Sequence, residues 1–355
     1  MTQKRYAELD IAKGIGALLV ITGHIQYISE GFRDFIVAFH IPLFFIIAGM
    51  LICIQEEDKK SLAKTVMKKS RSILQPYLIF SLIFIVAQYE AYKIGSTITL
   101  DLIKQNIFLT LILYGMSVLW FLGALFVGEM AFLGVVKLCK NKAPIWLILW
   151  LVVSCMVNRW LQYYCAVNAT DPYIIYKMYF FQMIIRIGII AFLISVGFYL
   201  WKYRKIVKMP AWVVGVFGVV CLLVTLWISR MNGGVDLHFL VFQNELLYFA
   251  GAILGSVGVI AISTSVKGIE KFPLFRVLSF YGKNSLIVML THVDTYVMYA
   301  SAILVMHYNK HITDYYGNAE FCIKLFLLVA AIEAVAIVII NRFFPWMVGK
   351  EERKK

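Results

Sequence analysis

The sequence predicts an all-α, polytopic membrane protein of about ten transmembrane helices, with N- and C-termini both cytoplasmic. Three observations predict it. Of 355 residues, 61% are hydrophobic and only 15% charged, against roughly 45–50% and about 25% in an ordinary soluble chain. Apolar runs of about 20 residues, long enough to cross the hydrocarbon, recur along the whole length. The basic residues collect in alternate gaps between those runs. Two soluble domains, the ordinary expectation at this length, would not have cores large enough to hide so much apolar surface. The low charge excludes a disordered chain, and unbroken apolarity without alternation favours helices over a barrel.

Span 1, at about 11–29, opens on Asp10 and Lys13, whose i,i+3 spacing allows a pair across one helical turn. His24 follows Lys13 by 11 residues, roughly 16 Å further along a helix, in the outer half of the bilayer. Span 2, at about 35–55, returns with Phe39-His40-Ile41-Pro42, so His40 lies at similar depth and the two imidazoles can share a polar pocket. A basic loop follows, with Lys59, Lys60, Lys64, Lys68, Lys69 and Arg71. Spans 3, 4 and 5 lie at about 73–92, 118–136 and 144–163, with Trp120 and Glu129 in the second of these. Span 6, at about 178–200, carries Arg186, and span 7 covers about 210–229. Span 8, at about 239–262, carries Glu245. Span 9, at about 284–306, carries Ser285, His292 and Asp294, and span 10, at about 321–344, carries Glu333. Only short loops remain, so 1–355 reads as one transmembrane domain.

The net charge of +14 is explained by orientation. Of the 34 Lys and Arg residues, 22 fall in the first, third, fifth and later odd segments outside the spans, and seven in the opposite loops. That asymmetry places both termini in the cytoplasm. Nucleic acid is not an expected partner, because no basic-aromatic groove accompanies the charge. The six cysteines are scattered without C-x-x-C spacing and read as packing residues. No A-x-A-like site closes the first apolar run, so no cleaved leader is expected. No repeat of 20–50 residues is visible.

Ionisable residues inside a membrane are costly unless paired or functional, and they carry the chemistry here. There is no G-x-S-x-G, P-loop, HExxH or GxGxxG, and the histidines are too dispersed for a metal site, so none is expected. On residue chemistry alone His24 reads equally as a packing residue and as a catalytic one. For His40, Glu129, Glu245 and Glu333 an interhelical bond is the simpler reading. Lys13 also reads as a snorkelling charge and Arg71 as one more positive-inside charge. Arg186 also reads as one arm of a salt bridge to Glu245 or Glu129. A transporter or flippase of a glycan or small solute would use the same inventory to line a path.

Several segments together resemble the membrane acyltransferase 3 family. Arg5-Tyr6, then Asp10-x-x-Lys13-Gly14 and Gly23-His24, is similar to its first span, where a basic residue precedes a histidine by ten intervening positions. Phe39-His40-Ile41-Pro42-Leu43-Phe44-Phe45-Ile46-Ile47-Ala48-Gly49 resembles F-H-x-P-L-F-F-x-x-S-G. Arg71-x-x-x-x-Pro76-Tyr77, Leu119-Trp120-Phe121-Leu122 and Gly282-Lys283-x-Ser285-Leu286 followed by His292 match further elements in order. Lys13 stands where Arg is usual and Ala48 where Ser is usual. The first keeps the charge and loses the planar fork.

The resemblance implies an O-acyltransferase of the bacterial cytoplasmic membrane, an O-acetyltransferase by family frequency. It would transfer from acyl-coenzyme A, a donor substrate and not a tightly bound cofactor, to a hydroxyl of an envelope glycan or its lipid-linked precursor. His24 is then the catalytic residue, as general base in direct transfer or as carrier of an acyl-histidine intermediate. Lys13, Arg71, Trp120, Ser285 and His292 bind acyl-CoA or line its path, the cationic ones on phosphate. His40, Arg186 and Glu245 are left for the oxyanion or the acceptor, and Asp10 as the structural partner of Lys13. No metal and no nucleic acid are implied. The extracellular esterase-like domain some members carry is not expected.

Overall fold

The computed structural model describes residues 6–204, 209–293 and 296–350. Lys4, Arg5, Lys205, Lys208, Asp294 and the basic tail from Arg353 lie outside the described residues. Among those described, the fold is helical, with an isolated antiparallel bridge between Asp236 and Val241. The order is α1 (Ala7–Gly23), α2 (Glu30–Ile54), α3 (Leu62–Lys69), a π-helical turn at Ser70–Leu74, α4 (Gln75–Lys93) and α5 (Leu100–Leu111). Then come α6 (Trp120–Cys139), α7 (Ala143–Val167), α8 (Ile174–Tyr203), α9 (Ala211–Asn232) and α10 (Glu245–Ser265). The chain closes with α11 (Pro273–Lys283), α12 (Ser285–Thr291), α13 (Val297–Tyr308) and α14 (Ala319–Phe343).

Seven helical stretches among the described residues are long and apolar enough to cross a membrane. The longest, Ser117–Val167, holds both α6 and α7 and turns at Lys140, whose φ is 47°. Several expected boundaries shift. Span 1 was expected to reach residue 29, but α1 stops at Gly23 and His24 caps it with φ −87° and ψ −5°. Glycine is a poor helix former and permits the stop. Span 8 starts later than expected, because the Asn244 side chain accepts from the Leu247 N–H at 3.1 Å and caps α10. Span 9 is broken in two, α12 and α13, with His292 as the C-cap of the first piece. Polar His292 interrupts the apolar run at that point. The basic stretch 59–71, expected as a loop, is mostly helical. α5 and α11 were not expected. The second is 11 residues of mixed polarity, too short to register as a span.

The chain divides into two units. One comprises Met1–Ile47, Tyr203–Leu237 and Val241–Phe343; the other comprises Ala48–Lys202, His238–Leu240 and Phe344–Lys355. In the first, α1 lies backbone to backbone on α11. A Cβ on Gly14 would overlap the Leu278 carbonyl, and one on Gly282 would overlap the Asp10 carbonyl. Two motif glycines thus make one close approach that no larger residue allows. In the second unit, α2 after Ala48 meets α8 in the same manner, Gly49 standing against the Ile194 carbonyl.

Candidate active site

In the first unit, the ends of α1 and α12 bring two histidines together. His24 and His292 pack edge to face, with ring centroids 4.9 Å apart and planes at 63°. His24 is exposed, whereas His292 is buried. His292 Nδ1 lies 2.7 Å from the Val288 carbonyl, one turn back on its own helix, and its Nε2 is buried without a hydrogen-bond partner among the described residues. His40 is also buried and is fixed the same way, Nδ1 to the Ile36 carbonyl at 2.9 Å. A carbonyl can only accept, so each of these Nδ1 atoms carries the hydrogen, and in a neutral ring Nε2 is left as an acceptor. A Cβ at Gly23 would lie 3.9 Å from His40 Nε2, which puts that atom beside the residue preceding His24. The pocket expected of His24 and His40 is therefore joined by His292. The Thr291 hydroxyl, one residue earlier, lies 2.8 Å from the Ile287 carbonyl and also hydrogen-bonds the fully buried Glu333 carboxyl, which ties α12 to α14.

At the other end of α1, Lys13 Nζ pairs with Asp10 Oδ1 at 2.9 Å, roughly 16 Å along the helix from His24. Ser285 opens α12, half-buried and roughly 10 Å along the axis from His292. Glu245 opens α10 and is also half-buried. Among the described residues, no group of three or more His, Cys, Asp or Glu side chains is placed to hold a metal ion.

In the second unit, Arg186 and Trp120 come together around a residue the sequence had not marked, His238. The Trp120 indole stacks on the His238 ring, centroids 5.1 Å apart and planes 8° from parallel. Arg186 is buried; its guanidinium carbon lies 4.1 Å from the Tyr114 ring centroid and 5.0 Å from that of Trp120. It donates to the Tyr114 carbonyl at 3.1 Å and to the His238 carbonyl. Gln182 holds the Phe239 carbonyl at 3.0 Å. Asn158 and Gln162 hold the Leu240 carbonyl at 2.9 and 3.0 Å. Every carbonyl of this three-residue turn is thus met by a side chain from α7 or α8. Burial, and after it the nearby Arg186 charge, holds the His238 imidazole well below the usual histidine range. No motif marks His238. A readable signal did exist: Asn158 and Gln162, and Gln182 and Arg186, are i,i+4 polar pairs on largely apolar helices.

Arg71 lies exposed in the π-helical turn Ser70–Leu74, a helix form that recurs at functional sites. Lys69, expected as one more loop charge, is instead buried, with Nζ 3.0 Å from Glu129 Oε2 and 3.2 Å from Glu57 Oε2. Glu129, considered in sequence as a partner for Arg186, meets Lys69.

Searches of curated proteins and of solved structures returned no match. Among protein families, the model of an acyltransferase domain matches residues 6–341, nearly the whole chain and parts of both units.

Proposed function

The chain belongs to the acyltransferase 3 family and is a multi-pass membrane protein, and from this we propose that it moves an acyl group, acetyl by family frequency, from cytoplasmic acyl-coenzyme A to a hydroxyl of an envelope polysaccharide or its lipid-linked precursor. His24 takes the proton of the acceptor hydroxyl. The oxygen attacks the thioester carbonyl, a C–O bond forms, the C–S bond breaks, and the leaving thiolate takes the proton from His24. The observation that carries this reading is the edge-to-face contact of His24, an exposed residue, with the buried, backbone-anchored imidazole of His292. The second ring is held still beside the first. With Nδ1 engaged on a carbonyl, His292 offers Nε2 as an acceptor, which suits the attacking hydroxyl better than the thioester carbonyl. His40 offers the same atom.

Lys13 and Arg71 contact the coenzyme phosphates, and Trp120 and Ser285 line the acyl-CoA path. Arg186 and Glu245 serve the acceptor or the oxyanion side. Ten crossings result when α1, the two arms of Ser117–Val167 and the broken stretch 285–308 each cross once. The 22 basic residues on one side then put both termini in the cytoplasm of a bacterial cell, with the protein in its cytoplasmic membrane. The test is His24→Ala in membranes supplied with acyl-coenzyme A, with product read by mass spectrometry and insertion verified. Transfer should fall by about 100-fold or more; wild-type acylation by an inserted variant overturns the assignment.

A further inference from the structure

The π-helical turn that carries Arg71 is held by a segment far away in sequence. After α14 the chain makes a 3-10 turn at Pro345–Val348, in the same unit as Arg71. Gln75, one residue past the π-helical turn, donates from Nε2 to the Trp346 carbonyl at 2.8 Å, across 271 residues of sequence. Val348 is buried. The Gly349 N–H returns to the Trp346 carbonyl at 3.1 Å, and the Lys350 N–H to the Pro345 carbonyl at 3.0 Å. The segment is therefore a closed turn with its own hydrogen bonds.

Gly349 makes the closest approach. Its φ is 68°, and a Cβ there would stand 2.2 Å from the Arg71 carbonyl oxygen and 3.0 Å from the Ser72 Cα. A left-handed backbone and a contact that admits no side chain thus fall on one residue, and glycine meets both. The Arg71-to-Pro76 spacing accounts for its partner. In a π-helical turn the N–H of residue i+5 serves the carbonyl of residue i, and the Gln75 N–H does so for Ser70. The same bond for Arg71 would come from position 76, where proline has no N–H. It is the Arg71 carbonyl that Gly349 meets.

We propose that Gly349 is a positioning residue for the donor: its backbone holds the turn in the form that presents the Arg71 guanidinium to the coenzyme phosphates. Arg71 is exposed, and a long side chain ordered on binding costs affinity unless its base is already fixed. This deepens the function proposed above and rests on the donor role given there to Arg71.

The test uses the full-length protein in nanodiscs. It reads coenzyme A affinity by calorimetry and amide hydrogen exchange over residues 70–75 by peptide mass spectrometry. Gly349→Ala should speed that exchange and weaken coenzyme A binding by about tenfold. Arg71→Gln should weaken binding by a similar factor with exchange unchanged. The double variant should bind no more weakly than Arg71→Gln alone, because both changes remove one interaction. Gln75→Ala takes away the second tie without straining the backbone and should weaken binding by about threefold. Wild-type affinity in Gly349→Ala, or in Gln75→Ala if the first does not insert, overturns the positioning role and leaves Arg71 in place. Losses that multiply in the double variant overturn it as well. Wild-type affinity in Arg71→Gln defeats the donor role of Arg71, and the positioning role with it.

Discussion

Two imidazoles show how surroundings divide one residue type. His24 was legible because Gly23-His24 stands at a fixed distance from Asp10 and Lys13 on one apolar run. His238 was not, because its partners Trp120, Tyr114 and Arg186 are distant in sequence and no spacing joins them. Its chemistry is nevertheless testable. A histidine held below its ordinary value contributes stability that is present above the unfolded value near 6.5. That stability is lost as pH falls below it toward the folded value. The midpoint of thermal unfolding in detergent should therefore drop between about pH 7.5 and 5.5, and His238→Gln should flatten that drop relative to wild type. A variant with the wild-type slope would show that protonation of this ring is not what the fold resists.

At the scale of elements, the basic stretch 57–74 carries more structure than its charges suggest. Lys69 turns inward to Glu57 and Glu129, while Lys68, half-exposed, touches Glu57 from outside at 2.7 Å. Removing the central cation leaves two buried carboxylates facing each other. Lys69→Met should thus destabilise by about 3–5 kcal/mol, and Lys68→Met by about 1 kcal/mol or less, both read by thermal unfolding. Equal effects would mean that the buried triad is not what fixes the turn bearing Arg71. Composition did reveal the abundance of charge here. Which lysine would face inward depended on Glu129, 60 residues away, and sequence periodicity within the stretch holds no record of that.

For the whole molecule, helical class and membrane embedding were legible because bulk apolarity and span length are properties of composition and need no tertiary contact. Breaks inside apolar runs were not: the turn after α12 and the late start of α10 depend on single polar residues that a 20-residue window averages away. Orientation rests on the basic asymmetry and is directly measurable. A reporter fused after Lys69 should read as cytoplasmic, as should one fused at Lys142; an external signal from either would invert the chain in the membrane.

The backbone contacts of Gly14, Gly49 and Gly282 bear on how mutational screens of this protein are to be read. A library scored only by lost product would rank these three beside His24, since each lies in a recognisable motif and none leaves room for a methyl group. Their loss should act on a different quantity, the amount of folded protein in the membrane, whereas the function proposed above has His24→Ala act on turnover per molecule. Dividing product by immunodetected protein would separate the positions that build the helix contacts from any that act in the reaction.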